Sequence, residues 1–137
     1  MERATATQGY YERSVATMKR TVEKLQEEIK RVTMMTERKK QILGALHSAF
    51  EYCGYDLDAF MGTKCRERTI VDLRSIAWTI YQDSTHYSAQ QIALDFSWNR
   101  CTVFCAIRRA REFRKFDRNF ADMFDSVYGA FVNALAI

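Results

Sequence analysis

Proline is absent from this chain of 137 residues, and glycine occurs only five times. Average usage would give about seven prolines and about ten glycines. Sandwiches, barrels and propellers need a turn every ~8–12 residues, and such turns depend heavily on these two residue types. The chain is also 47% hydrophobic and 13% aromatic, which is too apolar for a disordered protein. The sequence therefore predicts an all-α fold built from long helices.

Positive charge is concentrated in the second half of the chain. Between Lys64 and Arg118 there are 11 basic and six acidic residues, although the net charge of the whole chain is only +4. A basic cluster of this kind favours contact with a polyanion. No apolar run approaches the ~20 residues of a membrane span, and the first ten residues have no signal-peptide core. We therefore expect no membrane partner.

The residue types that metal binding and catalysis require are sparse. The four cysteines form no CxxC pair and there are only two histidines, so a zinc site would lack ligands and the cysteines are expected to be reduced thiols. Neither histidine has a neighbouring Asp or Ser arrangement that suggests a nucleophile or a base. No GxxxxGK[ST] phosphate loop occurs. We expect no enzyme activity, no metal and no cofactor.

Apolar residues follow a heptad pattern in the first third of the chain. Residues 1–9 are small and polar and are expected to form a disordered tail, and residues 10–38 then form a helix with six consecutive apolar a and d positions. These are Val15, Met18, Val22, Leu25, Ile29 and Val32. β-Branched residues at a with leucine at d favour a parallel two-stranded coiled coil, which predicts a homodimer. Because the pattern covers fewer than three full heptads, packing of this helix against its own domain is the alternative.

Residues 39–137 are predicted to form a separate helical domain. Gly54 fits the C-cap of its first helix, Ser88 fits the N-cap of a later one, and Asp117 or Asn119 fits the N-cap of the last. Between these positions apolar residues recur at helical spacing. We find no internal repeat and no linker in this part of the sequence.

Residues 89–108, AQQIALDFSWNRCTVFCAIR, match the requirements of a helix-turn-helix motif. Two helices that cross at a short turn need a small residue at the crossing, an apolar residue in the angle and apolar residues on the inner face of the second helix. Ala93 and Phe96 satisfy the first two requirements, and the inner-face residues are Val103, Ala106 and Ile107. Ser97 replaces the usual glycine of the turn, so it is expected to adopt a strained conformation.

The second helix of such a motif enters the major groove of DNA by its amino-terminal turn. If that helix begins near Trp98, the residues that face the groove are Asn99, Arg100, Cys101 and Thr102. Asn pairs well with adenine, Arg pairs well with guanine, and Thr or Cys can contact a thymine methyl group. Arg108 lies further along the same helix, where a phosphate contact is expected.

The same region resembles a known family, the C-terminal DNA-binding domain of the bacterial replication initiator DnaA. Residues 64–77, KCRERTIVDLRSIA, look like its basic loop and following helix, and residues 88–96, SAQQIALDF, are similar to its S-x-x-x-I-G-x-x-F helix. Residues 99–106, NRCTVFCA, occupy the place of its D-H-x-T-V-x-x-A signature. The resemblance covers roughly residues 40–128, without the ATPase module of the initiator.

The resemblance implies a Trp-repressor-like helix-turn-helix domain that binds double-stranded DNA. It matches Arg68 to the arginine that enters the minor groove, and Arg74 to the arginine that begins the third helix of the family. With Arg108 added, the predicted DNA-binding residues are Lys64, Arg66, Arg68, Arg74, Asn99, Arg100, Cys101, Thr102 and Arg108. Of the signature positions discussed, only Thr102 carries the family residue, so the recognised sequence is expected to differ from the usual box of the initiator.

Two functions therefore remain open from the sequence. The first is a duplex DNA-binding protein of the cytoplasm, associated with the nucleoid, that acts as a regulator or accessory factor of transcription or replication, of the kind that phages and mobile elements also encode. The alternative is a structural or protein-interaction module that keeps the helical scaffold but no longer reads DNA. In that case Phe104, Cys105, Tyr128 and Phe131 are the contacts expected with a protein partner, provided that they are exposed.

Overall fold

The computed structural model describes the backbone of residues 2–136 and the side chains of residues 8–136. The described residues form six helices and no strand, which confirms the prediction of an all-α fold. In chain order the helices are α1 (Glu2–Tyr52), α2 (Leu57–Gly62), α3 (Arg68–Thr85), α4 (Ala89–Phe96), α5 (Arg100–Phe116) and α6 (Arg118–Ala136). No helix in this part of the chain combines the length and the apolar character needed to cross a membrane.

The chain divides into two compact units, Met1–Arg38 and Lys39–Ile137. The boundary coincides with the end of the heptad pattern. Within the first unit, the six apolar heptad residues from Val15 to Val32 are all between 49% and 65% exposed. This unit is therefore a helix whose apolar face has no cover in the described structure.

Helix α1 is longer than the sequence analysis predicted. It begins at Glu2, where we expected a disordered tail over residues 1–9, and it continues without a break past Lys39 to Tyr52. Residues 3–9 include no proline and only one glycine, Gly9, and the run from Glu37 to Lys40 consists of strong helix formers. The heptad pattern ends near Lys39, and buried residues such as Ile42 and Leu46 begin just after it, but the helix backbone is continuous across this point. Met1 lies outside the described residues.

The second unit is organised around one hydrophobic core. Helix α5 packs mainly against α3 and α4, and also against α6. The largest fully buried side chains include Phe50, Trp78, Tyr81 and Phe124. Because α3 contributes an unbroken buried run from Asp72 to Tyr81, it forms the centre of the unit, and the other helices cover it.

Several helix ends form as the sequence predicted. Gly54 has a φ of +88°, and the amide of Tyr55 donates to the carbonyl of Phe50 at 2.8 Å, which closes α1. Ser88 caps α4 by accepting from the amide of Gln91 at 3.3 Å. Asp117 accepts from the amide of Phe120 at 3.1 Å and so caps α6.

Candidate functional site

A tight turn joins α4 to α5. Ser97 adopts the left-handed conformation, with φ 58° and ψ 45°, which confirms the strain expected there. The amide of Trp98 donates to the carbonyl of Ala93 at 2.8 Å, and the indole nitrogen of Trp98 donates to the carbonyl of Met61 at 2.9 Å. The turn is thereby fixed both to the end of α4 and to the end of α2, so the start of α5 has a defined position.

Helix α5 begins at Arg100 rather than near Trp98, where the sequence analysis placed it. Asn99 is its N-cap, and the Asn99 side-chain oxygen accepts from the amide of Cys101 at 2.8 Å. Pairing with adenine needs both the oxygen and the nitrogen of the amide, so the DNA contact predicted for Asn99 would compete with this cap. Asparagine is among the residues that most favour N-caps, so this signal was present in the sequence. Asn99, Arg100, Cys101 and Thr102 are all exposed.

Arg74 is buried, and its donors are used within the domain. It is 5% exposed, and its guanidinium donates to the carbonyl of Thr63 at 3.0 Å and to the carbonyl of Cys65. The guanidinium carbon also lies 4.6 Å from the centre of the Trp98 ring. Burial lowers the pKa of this guanidinium from its ordinary value. The expectation that Arg74 contacts DNA is therefore corrected: its donors hold the loop over residues 63–67 against the turn before α5.

Arg68 also departs from its expected position. As the first residue of α3, it is exposed, and its guanidinium lies 3.3 Å from a carboxylate oxygen of Asp117 and 3.9 Å from one of Asp72. Asp117 is the C-cap of α5, so Arg68 faces the carboxyl end of that helix. The minor-groove role that the resemblance implies for Arg68 stays a prediction, and this side chain would have to leave Asp117 to reach DNA.

Two other basic residues of the loop lie where Arg68 was expected. Lys64 and Arg66 line a groove together with Asn99 and Thr102 from the start of α5, and Arg74 and both tryptophans also contribute to its walls. The groove has a volume of about 340 Å³. We call it the loop–helix groove, defined by Lys64, Arg66, Arg74, Trp78, Trp98, Asn99 and Thr102. It brings the predicted basic loop next to the predicted signature residues.

A second surface runs along the solvent side of α5. Its residues are all exposed and lie at successive helical turns: Arg100, Cys101, Phe104, Cys105 and Arg108. Phe104, at the centre, is 57% exposed, and the start of α4 borders this surface through Ser88 and Gln90. We call it the outer face of α5. It combines an apolar centre with arginines at both ends.

The basic residues of α5 and its surroundings divide into two groups. Arg109, Arg111 and Arg114 contact Asp72, Asp83 and Asp125 at 3.1, 2.8 and 2.9 Å. Arg108 has a longer contact of 3.8 Å with Glu112. Lys64, Arg66 and Arg100 have no acidic partner among the described residues, and these three cations surround the amino end of α5. Lys115 and Arg118, at the carboxyl end of α5, also have no acidic partner among the described residues, so unpaired charge occurs at both ends, and what distinguishes the amino end is that two of its cations line one groove with the start of the helix.

Asp72 pairs with arginines on the side of the domain away from the amino end of α5. It is 8% exposed and lies between Arg109 and Arg68. Burial raises the pKa of the Asp72 carboxyl above its ordinary value, although the two arginines pull the pKa down.

No protein-family model, no curated protein and no solved structure matches this chain. The function of this chain is therefore inferred from its residues and their geometry.

Proposed function

We propose that this protein binds duplex DNA with a sequence preference, through a helix-turn-helix formed by α4 and α5. The observation that carries the proposal is the exposed amino end of the 17-residue helix α5, which is surrounded by three unpaired cations. An α-helix fits the major groove of B-DNA, and unpaired Lys and Arg side chains release counterions when they contact phosphates.

The residues of the site have different expected roles in DNA recognition. Arg100 is unpaired and exposed in the first turn of α5, so it is the residue best placed to pair with guanine. Cys101 and Phe104 offer apolar contact on the outer face of α5. Asn99 acts as the cap, because its side-chain oxygen is already used there. Lys64 and Arg66 contribute affinity from the neighbouring loop. They contact either the minor groove or the phosphate backbone of the DNA.

The amino-terminal unit supports a dimeric form of this function. Its apolar heptad face is exposed, and helices in proteins are stabilised mostly by packing of such a face. We propose that two copies associate through Val15, Met18, Val22, Leu25, Ile29 and Val32 as a parallel coiled coil. A dimer would carry two DNA-binding units and would therefore favour paired half-sites.

The resemblance to the DnaA DNA-binding domain supports a Trp-repressor-like motif and a role as a regulator or accessory factor. Selection of bound fragments from random duplex DNA tests the function directly. We expect an enriched motif in paired half-sites, with an affinity that falls steeply with salt at a log–log slope of about −0.9 per phosphate contact. Absence of enrichment together with a flat salt dependence would remove the proposal.

The exposed ring of Phe104 favours a second candidate function, the binding of a protein partner on the outer face of α5. Aromatic residues are enriched at such interfaces. Cys105 and Tyr128 are also exposed, whereas Phe131 is only 2% exposed and belongs to the core. A stoichiometric partner that protects the outer face, with no DNA shift in gels, would favour this candidate.

A further inference from the structure

The loop–helix groove contains more hydrogen-bond donors than the protein itself uses. Helix α5 leaves the amides of its first turn free, except where Asn99 accepts from Cys101 and Val103. The amide of Thr102, which lines the groove, has no acceptor in the described part of the chain, and neither does the amide of Arg100 at the same end of the helix. The positive end of the helix dipole lies at the same place, which favours an anion.

The side chains of the groove add further donors. Lys64 and Arg66 bring two positive charges that have no acidic partner within residues 8–136, and Thr102 brings a hydroxyl group. Trp78 also lines the groove; it is 1% exposed, and its indole N–H has no acceptor in the described structure. A buried donor without an acceptor is costly, and it is uncommon in folded proteins. The observations agree on a negatively charged ligand rich in hydrogen-bond acceptors.

The walls of the groove are held in position before any ligand arrives. Arg74 fixes the loop by donating to the carbonyls of Thr63 and Cys65, and Trp98 is anchored to the carbonyl of Met61. An ordered site loses less conformational entropy on binding than a flexible one. The groove therefore has the rigidity expected of a binding site in addition to the charge.

We propose that the loop–helix groove binds one phosphate group of the DNA backbone. This inference rests on the proposed function. If α5 occupies the major groove and the loop reaches the adjacent minor groove, the strand that separates the two grooves must cross between them, over the loop–helix groove. The bound phosphate fixes the register of α5 on the duplex, and the base contacts of α5 then select the sequence.

Neutralising one phosphate at a time tests this assignment. In the selected DNA site, each backbone phosphate is replaced in turn by an uncharged methylphosphonate, and the affinity of the full-length protein is measured. We expect one position per half-site at which affinity falls about tenfold, as for the loss of a charge-assisted hydrogen bond. Arg66→Ala should bind weakly and should be insensitive to that substitution.

Lys115→Ala serves as the matched control. Lys115 is exposed in the last turn of α5 and has no acidic partner in the described structure, so this variant removes the same charge at the other end of the helix. It should keep the full sensitivity to the methylphosphonate. The proposal is overturned if no position stands out, or if Arg66→Ala keeps the sensitivity of the unsubstituted protein.

Inorganic phosphate distinguishes the two sources of the ligand. Trp78 and Trp98 are the only tryptophans of the chain and both line the groove, so their fluorescence reports its occupancy. At constant ionic strength, we expect a DNA-dependent change and little change with millimolar phosphate. A saturable response to phosphate that Arg66→Ala abolishes would support the same site with the free ion as its ligand, even without DNA binding. If neither DNA nor phosphate changes the tryptophan fluorescence, the site is rejected. If the protein binds DNA but no methylphosphonate position lowers the affinity, the phosphate site is rejected and the proposed function stands.

Discussion

The two ends of α5 differ in how many of their cations are paired, although Lys115 and Arg118 at the carboxyl end have no acidic partner among the described residues. At the carboxyl end, Arg109, Arg111 and Arg114 each contact an aspartate on a neighbouring helix, so a carboxylate already neutralises their charge. At the amino end, Arg100 and the loop cations Lys64 and Arg66 have no such partner among the described residues. The excess of basic over acidic residues between Lys64 and Arg118 therefore does not measure the charge available to a polyanion.

The difference has a physical consequence for binding. An arginine in an ion pair must give up its carboxylate before it can neutralise a phosphate, so its net contribution to affinity is small. An unpaired arginine gains the full benefit of counterion release. We therefore expect the affinity for DNA to depend on a few residues at one end of α5.

The largest loss of stability is expected for Arg74→Met. Arg74 is buried, and its removal leaves the carbonyls of Thr63 and Cys65 without their donor and Trp98 without its stacked cation. We expect the free energy of unfolding to fall by about 2–4 kcal/mol, as measured by urea denaturation. The amino end of α5 would also lose the fixed position of the loop that carries its two neighbouring cations.

Arg108→Met is the matched control for Arg74→Met. Arg108 is exposed and contacts only Glu112 one turn away on the same helix, so its loss should change the free energy of unfolding by less than ~0.5 kcal/mol. Equal stability of the two variants would contradict the role assigned to Arg74.

Arg100→Ala compared with Arg111→Ala tests the difference between the two ends directly. We expect Arg100→Ala to lower the affinity for the selected DNA by about tenfold and to change the preferred bases. If Arg100 also contacts a phosphate, the log–log salt slope should become shallower by about 0.9. Arg111→Ala should lower affinity by less than ~2-fold, because Arg111 contacts Asp83 and Gln82. Equal losses in the two variants, measured by fluorescence anisotropy over a range of salt concentrations, would show that the two ends do not differ in this way.

Phe104 and Phe116 allow the two ends of α5 to be compared for apolar contacts with DNA. Its exposed ring on the outer face of α5 would meet a thymine methyl group if that face lies in the major groove. Replacing single thymines of the selected site by uracil removes only the methyl group. We expect an affinity loss of about fourfold at one or two positions, which corresponds to one buried methyl.

Phe104→Ala should be insensitive to the same uracil substitutions. Phe116→Ala, which removes an 86% exposed ring at the carboxyl end of α5, should respond as the unsubstituted protein does. If uracil has no effect at any position, Phe104 takes no part in reading DNA, and the protein-partner alternative gains weight.

Sequence patterns predicted the helices well and did not reveal the intramolecular partners of single arginines. Apolar periodicity defines a helix face through residues close in the chain, and caps such as Ser88 and Gly54 act locally, so both are visible in a sequence. The role of Arg74 depends on three separate segments meeting: the loop at residues 63–65, helix α3 and Trp98. Arg68 pairs with Asp117, 49 residues away. Such long-range pairs leave no periodic signal.

Asn99 is an intermediate case. The sequence analysis correctly placed a short turn after Phe96 but extended α5 by two residues, because Trp98 and Asn99 fit the apolar and polar pattern of the motif. Local capping chemistry decided the boundary instead, since Asn99 offers its side-chain oxygen to the amide of Cys101. A rule that weighs capping residues first would have placed the start of α5 at Arg100.

Asp72→Asn should give the smallest effect, and it concerns the carboxyl end of α5. Because burial raises the pKa of Asp72 in the folded protein, the folded state binds a proton more readily than the unfolded state. The contribution of this group to stability is therefore present below the unfolded pKa of about 3.9 and is lost as the pH rises through the folded pKa. We expect the free energy of unfolding of the unsubstituted protein, minus that of Asp72→Asn, to decrease as the pH rises from about 4 to about 7. An increase over this range, measured by urea denaturation at each pH, would mean that Arg109 and Arg68 outweigh burial. In that case the ion pairs at the carboxyl end would stabilise the charged carboxylate more strongly than burial destabilises it.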